Sequence, residues 1–198
     1  ADNPASKMYA FEAGKRAIEA HLERSGVKGV VSHTPDLGFY RVQYPVQGEP
    51  LVSVIIPNKD EKETLRTCLE SLKKNTDYKN FEIIIVDEDR ADEELQKYYQ
   101  QMQSRRRNIA VVAAEAGKSS TECRNLGAMY ANGSFLLFLE ANMEIGDTIA
   151  LGEMLGIAMR DDVGMVIGTV YDDRERLFCA DMPSYPDSLN DYSFGELP

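Results

Sequence analysis

Leu51-Val52-Ser53-Val54-Ile55-Ile56 and Phe81-Glu82-Ile83-Ile84-Ile85-Val86 are the two stretches whose reading decides the fold. Runs this continuous do not suit a strand with one face in water. They read as strands buried on both faces, as in the interior of a parallel sheet. Between them, Glu61 to Thr76 places Leu65, Cys68, Leu69 and Leu72 at i, i+3, i+4 and i+7, the stripe of an amphipathic helix. The alternation continues with a polar helix over Ala91 to Ser104, a strand at Ile109 to Ala113 and a helix over Ser119 to Ala131. A strand at Phe135 to Leu139, a helix over Thr148 to Arg160 and a strand at Val163 to Tyr171 follow. Strands alternating with helices of this length predict an α/β fold, a mostly parallel sheet with helices on both faces.

Upstream, Pro4 to Arg24 is helical in pattern, with Met8, Phe11, Ile18 and Leu22 near one face and Gly26 as the stop signal. Gly26 to Pro50 is punctuated by Gly and Pro around Phe39-Tyr40-Arg41-Val42-Gln43-Tyr44, an edge strand or extended connector. The expected organisation is a lead-in over 1–49, the sheet domain over 50–182 and a loose tail over 183–198.

Composition narrows the function. With 22 Lys+Arg against 33 Asp+Glu the 198-residue chain carries a net charge of −11, which argues against a nucleic-acid binder that must displace counterions from phosphate. At 43% hydrophobic and 28% charged it has the composition of a globular protein. No apolar stretch approaches the ~20 residues of a membrane span, and Ala1 to Lys7 lacks the layout of a secretory signal. Cys68, Cys123 and Cys179 have no metal-ligand spacing, and an odd count describes no disulfide framework, so reduced thiols in a cytosolic setting are expected. Cys68 and Cys123 fall on apolar helix faces and read as core. His21 and His33 have no partner in sequence to suggest catalysis, and Arg105-Arg106-Arg107 reads as a solvated loop.

In parallel sheets the ligand sits beyond the carboxyl ends of the strands. That directs attention to Pro57 to Glu61, Asp87 to Arg90, Ala114 to Ser120 and Glu140 to Glu144. The first strand runs into Pro57-Asn58-Lys59-Asp60-Glu61 instead of G-x-G-x-x-G, and Gly117-Lys118-Ser119 lacks the upstream glycine of a phosphate-cradling loop. A classical nicotinamide enzyme and a Walker-type nucleotide site are both disfavoured.

The ordered strings Pro50-Leu-Val-Ser-Val-Ile-Ile-Pro-Asn-Lys-Asp60, Thr64-Leu-Arg-Thr-Cys-Leu-Glu-Ser-Leu72, Tyr78-Lys-Asn-Phe-Glu-Ile-Ile-Ile-Val-Asp87, Arg124-Asn-Leu-Gly127 and Gly133-Ser-Phe-Leu-Leu-Phe-Leu-Glu140 resemble the nucleotide-binding half of a family 2 glycosyltransferase. The resemblance covers roughly residues 50 to 172. It implies a GT-A, Rossmann-like fold holding a nucleotide-diphosphate sugar, usually a UDP- or dTDP-sugar, for transfer with inversion to a glycan or lipid-linked acceptor. It also implies work in polysaccharide or cell-envelope glycan synthesis, in the cytoplasm and at the inner face of the membrane through partners. On this resemblance the donor would be bound by Pro57, Asn58, Asp60, Glu61, Asp87, Asp89, Arg124 and Asn125. Asp87 could accept the imide N–H of uracil or thymine, Pro57 and Asp60 would shape the loop beside base and ribose, and Arg124 would give charge-assisted contacts to the diphosphate. Asn125 and Gly127 would let their helix pack close to that loop. Asp87 as a turn or cap residue, Asp60 as an N-cap and Arg124 in a surface salt bridge are the competing structural readings.

The family's D-x-D, which holds a divalent cation (Mn or Mg) against the diphosphate, reads Glu140-Ala141-Asn142 here, with Glu144 two residues on. Asn supplies a neutral oxygen, so one unit of site charge is lost. A unit charge pair at ~4 Å contributes on the order of 4 kcal/mol at an effective dielectric of 20, so Glu144 must substitute if affinity is to be kept. The catalytic base of the family comes from a segment well after the fifth strand; Asp172-Asp173 and Asp181 are carboxylates in reach of the sequence, with Asp172-Asp173 reading better as a hairpin turn. The chain opens on Ala1 instead of Met. The expectation is a piece of a longer parent, with neighbouring domains as partners, or a degenerate domain that keeps the donor-site fold for binding or assembly.

Overall fold

The computed structural model describes residues 8–59, 62–88, 93–172, 174 and 177–178. The chain divides into two compact units, Ala1–Val166 and Ile167–Pro198.

The larger unit opens with helix α1 (Met8–Arg24) and an antiparallel pair, β1 (Val30–His33) and β2 (Tyr40–Gln43). A sheet then follows: β3 (Val52–Asn58), α2 (Lys62–Lys74), β4 (Phe81–Asp87), α3 (Glu93–Arg105), β5 (Ile109–Ala113), α4 (Ser120–Met129) and β6 (Phe135–Phe138). Helix α5 (Ala150–Ala158) comes after the sheet. The sheet order is β5-β4-β3-β6 and every pairing is parallel.

Both decisive runs are interior strands. Every residue of β3 is buried, as are Ile83 to Asp87 of β4. Val52, Val54, Ile56, Ile83 and Ile85 face Leu65, Cys68, Leu69 and Leu72 of α2 and Leu95 and Tyr99 of α3. Ile55, Ile84 and Val86 face Cys123 of α4 on the other side. Each fully buried aliphatic side chain contributes roughly 1.5–3 kcal/mol, so this two-sided core explains why the alternation reads so clearly. Gly127 lets α4 lie close to the sheet: a Cβ there would come within 2.5 Å of Ile55 Cγ2 and 3.0 Å of Val86 Cγ2.

At the amino-terminal edge, buried Ser53 donates to Glu82 (2.6 Å) and accepts from the Gly133 N–H (2.8 Å). The Asn132 backbone N–H (2.6 Å) and side-chain amide (3.0 Å) also donate to Glu82. This cluster pins the α4–β6 turn to the two central strands. Burial opposes ionisation of Glu82, but these donors outweigh it and hold its carboxyl below the ordinary range.

Of the edge strand or extended connector expected at Phe39 to Tyr44, the strand is what forms: β2, paired antiparallel with β1, which the sequence pattern does not announce. Tyr40 fits over Gly14 of α1 and donates to the Phe11 carbonyl (2.8 Å). Glu153 of α5 accepts from Arg41 and Gln43 of β2, each at 2.6 Å, and Gly156 leaves room for the Tyr44 carbonyl, 1.9 Å from where a Cβ would sit. His33, for which the sequence offered no partner, lies 3.0 Å from Glu12.

β6 is an outer strand. Leu136 and Phe138 pair in register with Ser53 and Ile55, and they stay 43% and 48% exposed.

In the smaller unit the expected strand Val163 to Tyr171 shrinks to β7 (Val170–Tyr171), paired antiparallel with β8 (Leu177–Phe178). Gly164 and Gly168 interrupt the apolar run, and glycine weakens a strand interior. Asp172 accepts from the Arg174 backbone N–H (3.0 Å), the turn that Asp172-Asp173 suggested. Asp173, Asp181 and the expected tail lie outside the described residues.

Candidate functional site

The order β5-β4-β3-β6 makes the chain step outward from β3 through β4 to β5 and return to β3's other side with β6. The topological switch point is therefore beyond the carboxyl ends of β3 and β6, where open parallel sheets bind ligands.

Asn58 and Asp87 end their strands as register partners and are 1% and 2% exposed. The Glu88 N–H donates to the Asn58 carbonyl (3.0 Å) and the Ala114 N–H to that of Asp87 (2.8 Å), which carries the alignment past the last residues of the strands. The Asn58 side-chain amide donates to the Tyr99 hydroxyl of α3 (2.9 Å), while its Oδ1 is buried with no hydrogen-bond partner among the described residues. Pro57 is buried in β3 beside them. Asp60, Glu61 and Asp89 lie outside the described residues.

Arg124, on the second turn of α4, forms an ion pair with Glu140 just beyond β6. Both are partly exposed, so the pair sits at the mouth of the rim. α4 itself is set by a capping box: Ser119 accepts from the Glu122 N–H and Glu122 from the Ser119 N–H. The Ser119 backbone, the Lys118 ammonium and the Ser119 hydroxyl together pull the Glu122 carboxyl down to about 2. Asn125 is exposed on α4, and the close approach to the sheet is made by Gly127.

The segment after β6 sends its groups in two directions. Glu140 reaches Arg124 on the α4 side. Asn142 and Glu144 line, with Glu63, Thr64, Thr67 and Met143, a cavity of about 270 Å³ against α2. Beneath it burial pushes the Cys68 thiol up to about 12, with Glu144 adding to the effect, and this thiol lies 3.7 Å from the Glu140 carbonyl. Cys68 and Cys123 are fully buried and free, as their helix faces suggested. Among the described residues no three His, Cys, Asp or Glu converge to hold a metal ion.

The structure thus brings together Asn58 with Asp87, Arg124 with Glu140, and Asn142 with Glu144. Sequence reasoning missed Tyr99, the hydrogen-bond partner of Asn58. Its i+4 spacing from Leu95 marks it as an inward-facing residue, and a buried tyrosine needs a partner for its hydroxyl.

A mannosyltransferase of Pyrobaculum calidifontis, solved in complex with GDP-Man and Mn2+, matches 86% of this chain and 47% of its own at a TM-score of 0.56 and 15% identity, which establishes the fold as GT-A. Among curated relatives, the uncharacterized protein y4gI of Sinorhizobium fredii is 32% identical over 84% of this chain. The O-antigen biosynthesis protein RfbC of Myxococcus xanthus is 35% identical over 79%. The chain spans 18% and 12% of the lengths of these two relatives. The model of the family described as "Glycosyl transferase family 2" matches residues 53–178, from β3 through the end of β8, and the chain belongs to that family.

Proposed function

We propose that the carboxyl rim is the donor site of a glycosyl transfer from a nucleotide-diphosphate sugar, with UDP or dTDP as the carrier, in polysaccharide synthesis in the cytoplasm. The observation that carries this reading is the Asn58–Asp87 row at the carboxyl ends of β3 and β4, beside the switch point, where a buried amide oxygen has no donor among the described residues. An orphaned buried acceptor costs about 1–3 kcal/mol, and an N–H of a pyrimidine base is the kind of group that would relieve it. Asp87 accepts from the same edge of the base. The diphosphate takes Arg124, since two phosphate charges outcompete the single carboxylate of Glu140. As the acceptor hydroxyl attacks the anomeric carbon with inversion, Arg124 stabilises the charge that gathers on the departing nucleoside diphosphate.

The oxygens of Glu140, Asn142 and Glu144 suit Mn2+ or Mg2+ in kind. They do not fit it in number or placement, because Glu140 faces Arg124 and the other two line a different cavity. The chain alone is expected to hold Mn2+ weakly, since such ions are bound largely through substrate phosphates. The Asp172 carboxylate accepts from the Arg174 backbone N–H and so serves a turn. A polysaccharide product rests on the name of the O-antigen relative.

The test is calorimetric titration with UDP and dTDP, with and without Mn2+. Binding to the chain that disappears in Asp87→Ala, with the fold retained by circular dichroism, supports the donor site. If no nucleoside diphosphate binds, the second reading stands: a GT-A domain kept for binding or assembly. The Arg124–Glu140 pair, which closes the mouth on itself, is the feature that favours it.

A further inference from the structure

At the opposite edge of the sheet, away from the donor rim, a second cavity of about 200 Å³ is lined by Leu69 and Lys73 of α2, Phe81 and Ile83 of β4, and Arg106 and Asn108 between α3 and β5. Its floor is apolar: Leu69 and Ile83 are buried and Phe81 is half-buried. Asn108 braces the wall by donating to the Phe81 carbonyl (3.2 Å). Lys73 and Arg106 line the mouth, Lys74, Arg105 and Arg107 are their immediate neighbours along the chain, and Arg106 is the least exposed of the five.

On a chain of net charge −11, Lys15, Arg41, Lys62, Arg66, Lys97, Lys118, Arg124 and Arg160 each have a carboxylate within ion-pair distance. Among the described residues none of those five cations has one. Arg16, Arg24, Lys28, Lys79 and Arg174 also have no carboxylate within ion-pair distance among the described residues, but nowhere else do five such cations fall in two adjacent runs that flank one cavity. Helices α2 and α3 both end at this corner, and basic residues favour helix C-termini, but each terminus brings only about half a negative charge. Two termini therefore account for one or two of these cations, not five.

We propose that this cavity seats the phosphate headgroup of an anionic phospholipid and so docks the chain on an acidic bilayer. Lys73 and Arg106 hold the phosphate and the Leu69, Phe81 and Ile83 floor receives the apolar stem. Lys74, Arg105 and Arg107 meet neighbouring headgroups. A single well with cations radiating from its lip matches one phosphate ester on an apolar stem. An acidic peptide would need several wells along a groove, and the overall charge speaks against RNA. The site lies at the amino-terminal edge of the strands, so the donor rim stays open to solution while it is occupied.

The test is co-sedimentation of the chain with vesicles of equal parts phosphatidylglycerol and phosphatidylcholine, against vesicles of phosphatidylcholine alone. The proposal expects binding to the anionic vesicles only, weakened by raised salt because surface charges are screened. Lys73→Gln with Arg106→Gln should weaken it at least tenfold without moving the melting temperature. Lys74→Gln with Arg107→Gln, which leaves the cavity wall intact, should weaken it severalfold, and Lys28→Gln on the lead-in should change nothing. Equal binding to both vesicles, no binding to either, or binding unaffected by both paired substitutions overturns the proposal. Binding of an acidic peptide at this corner without binding to vesicles overturns it as well.

Discussion

Arg124 and Glu140 neutralise each other at the donor rim, and their side chains are 35% and 38% exposed. At that exposure the pair contributes at most about 1 kcal/mol, so a diphosphate can separate it. Replacing Arg124 by Ala removes a charge-assisted contact of about 1.5–3 kcal/mol, and titration should show UDP binding weakened by about 10- to 100-fold. Glu140→Gln separates two roles for the carboxylate. Titrated with UDP in EDTA, this variant should bind about two- to fivefold more tightly than the parent, because Arg124 is released; weaker binding would mean that Glu140 serves the ligand directly. The strand-end positions were legible in sequence because each follows an apolar run. The Arg124–Glu140 and Asn58–Tyr99 pairings were not, since they join helices to strand ends that only the folded sheet brings together.

The elements follow the periodicities wherever a run is long enough to be buried on both sides. β1 escaped detection because Val30-Val31-Ser32-His33 buries only Val31 deeply and exposes both its ends. The Val163 to Tyr171 run misled in the opposite sense: it is apolar in composition, yet Met165 and Ile167 are exposed and no sheet neighbour receives them among the described residues. Gly127 tests the packing of α4. A methyl group there meets the side chains of Ile55 and Val86, and Gly127→Ala should destabilise the protein by about 1–3 kcal/mol in urea unfolding. Glu82 tests the hub beneath α4. Its folded-state pKa is depressed, so its contribution is fully present above the unfolded value of about 4.3 and is lost as pH falls through the lower folded value. Melting temperature should therefore fall more steeply on acidification below about pH 5 in the parent than in Glu82→Gln.

At the scale of the larger unit, the lead-in is fastened to the sheet domain through α5, where Glu153 accepts from Arg41 and Gln43. The Arg41 guanidinium holds the Glu153 carboxyl below its ordinary range, against burial. Glu153→Ala should raise hydrogen exchange in β1 and β2 while leaving β3 and β4 protected, because the two strand pairs have separate hydrogen-bond ladders. The five-cation corner was legible only as an isolated Arg105-Arg106-Arg107 run, since Lys73 and Lys74 lie on a helix remote in sequence.

The outer strand β6 presents a backbone rail with no partner among the described residues, clad on one side by Leu136 and Phe138. Such a rail recruits whatever extended polypeptide meets it first. For the isolated chain, crowding sets the handling limit before heat does: at high concentration light scattering should rise while the helical signal is still intact, and a lysine at position 136 should delay it.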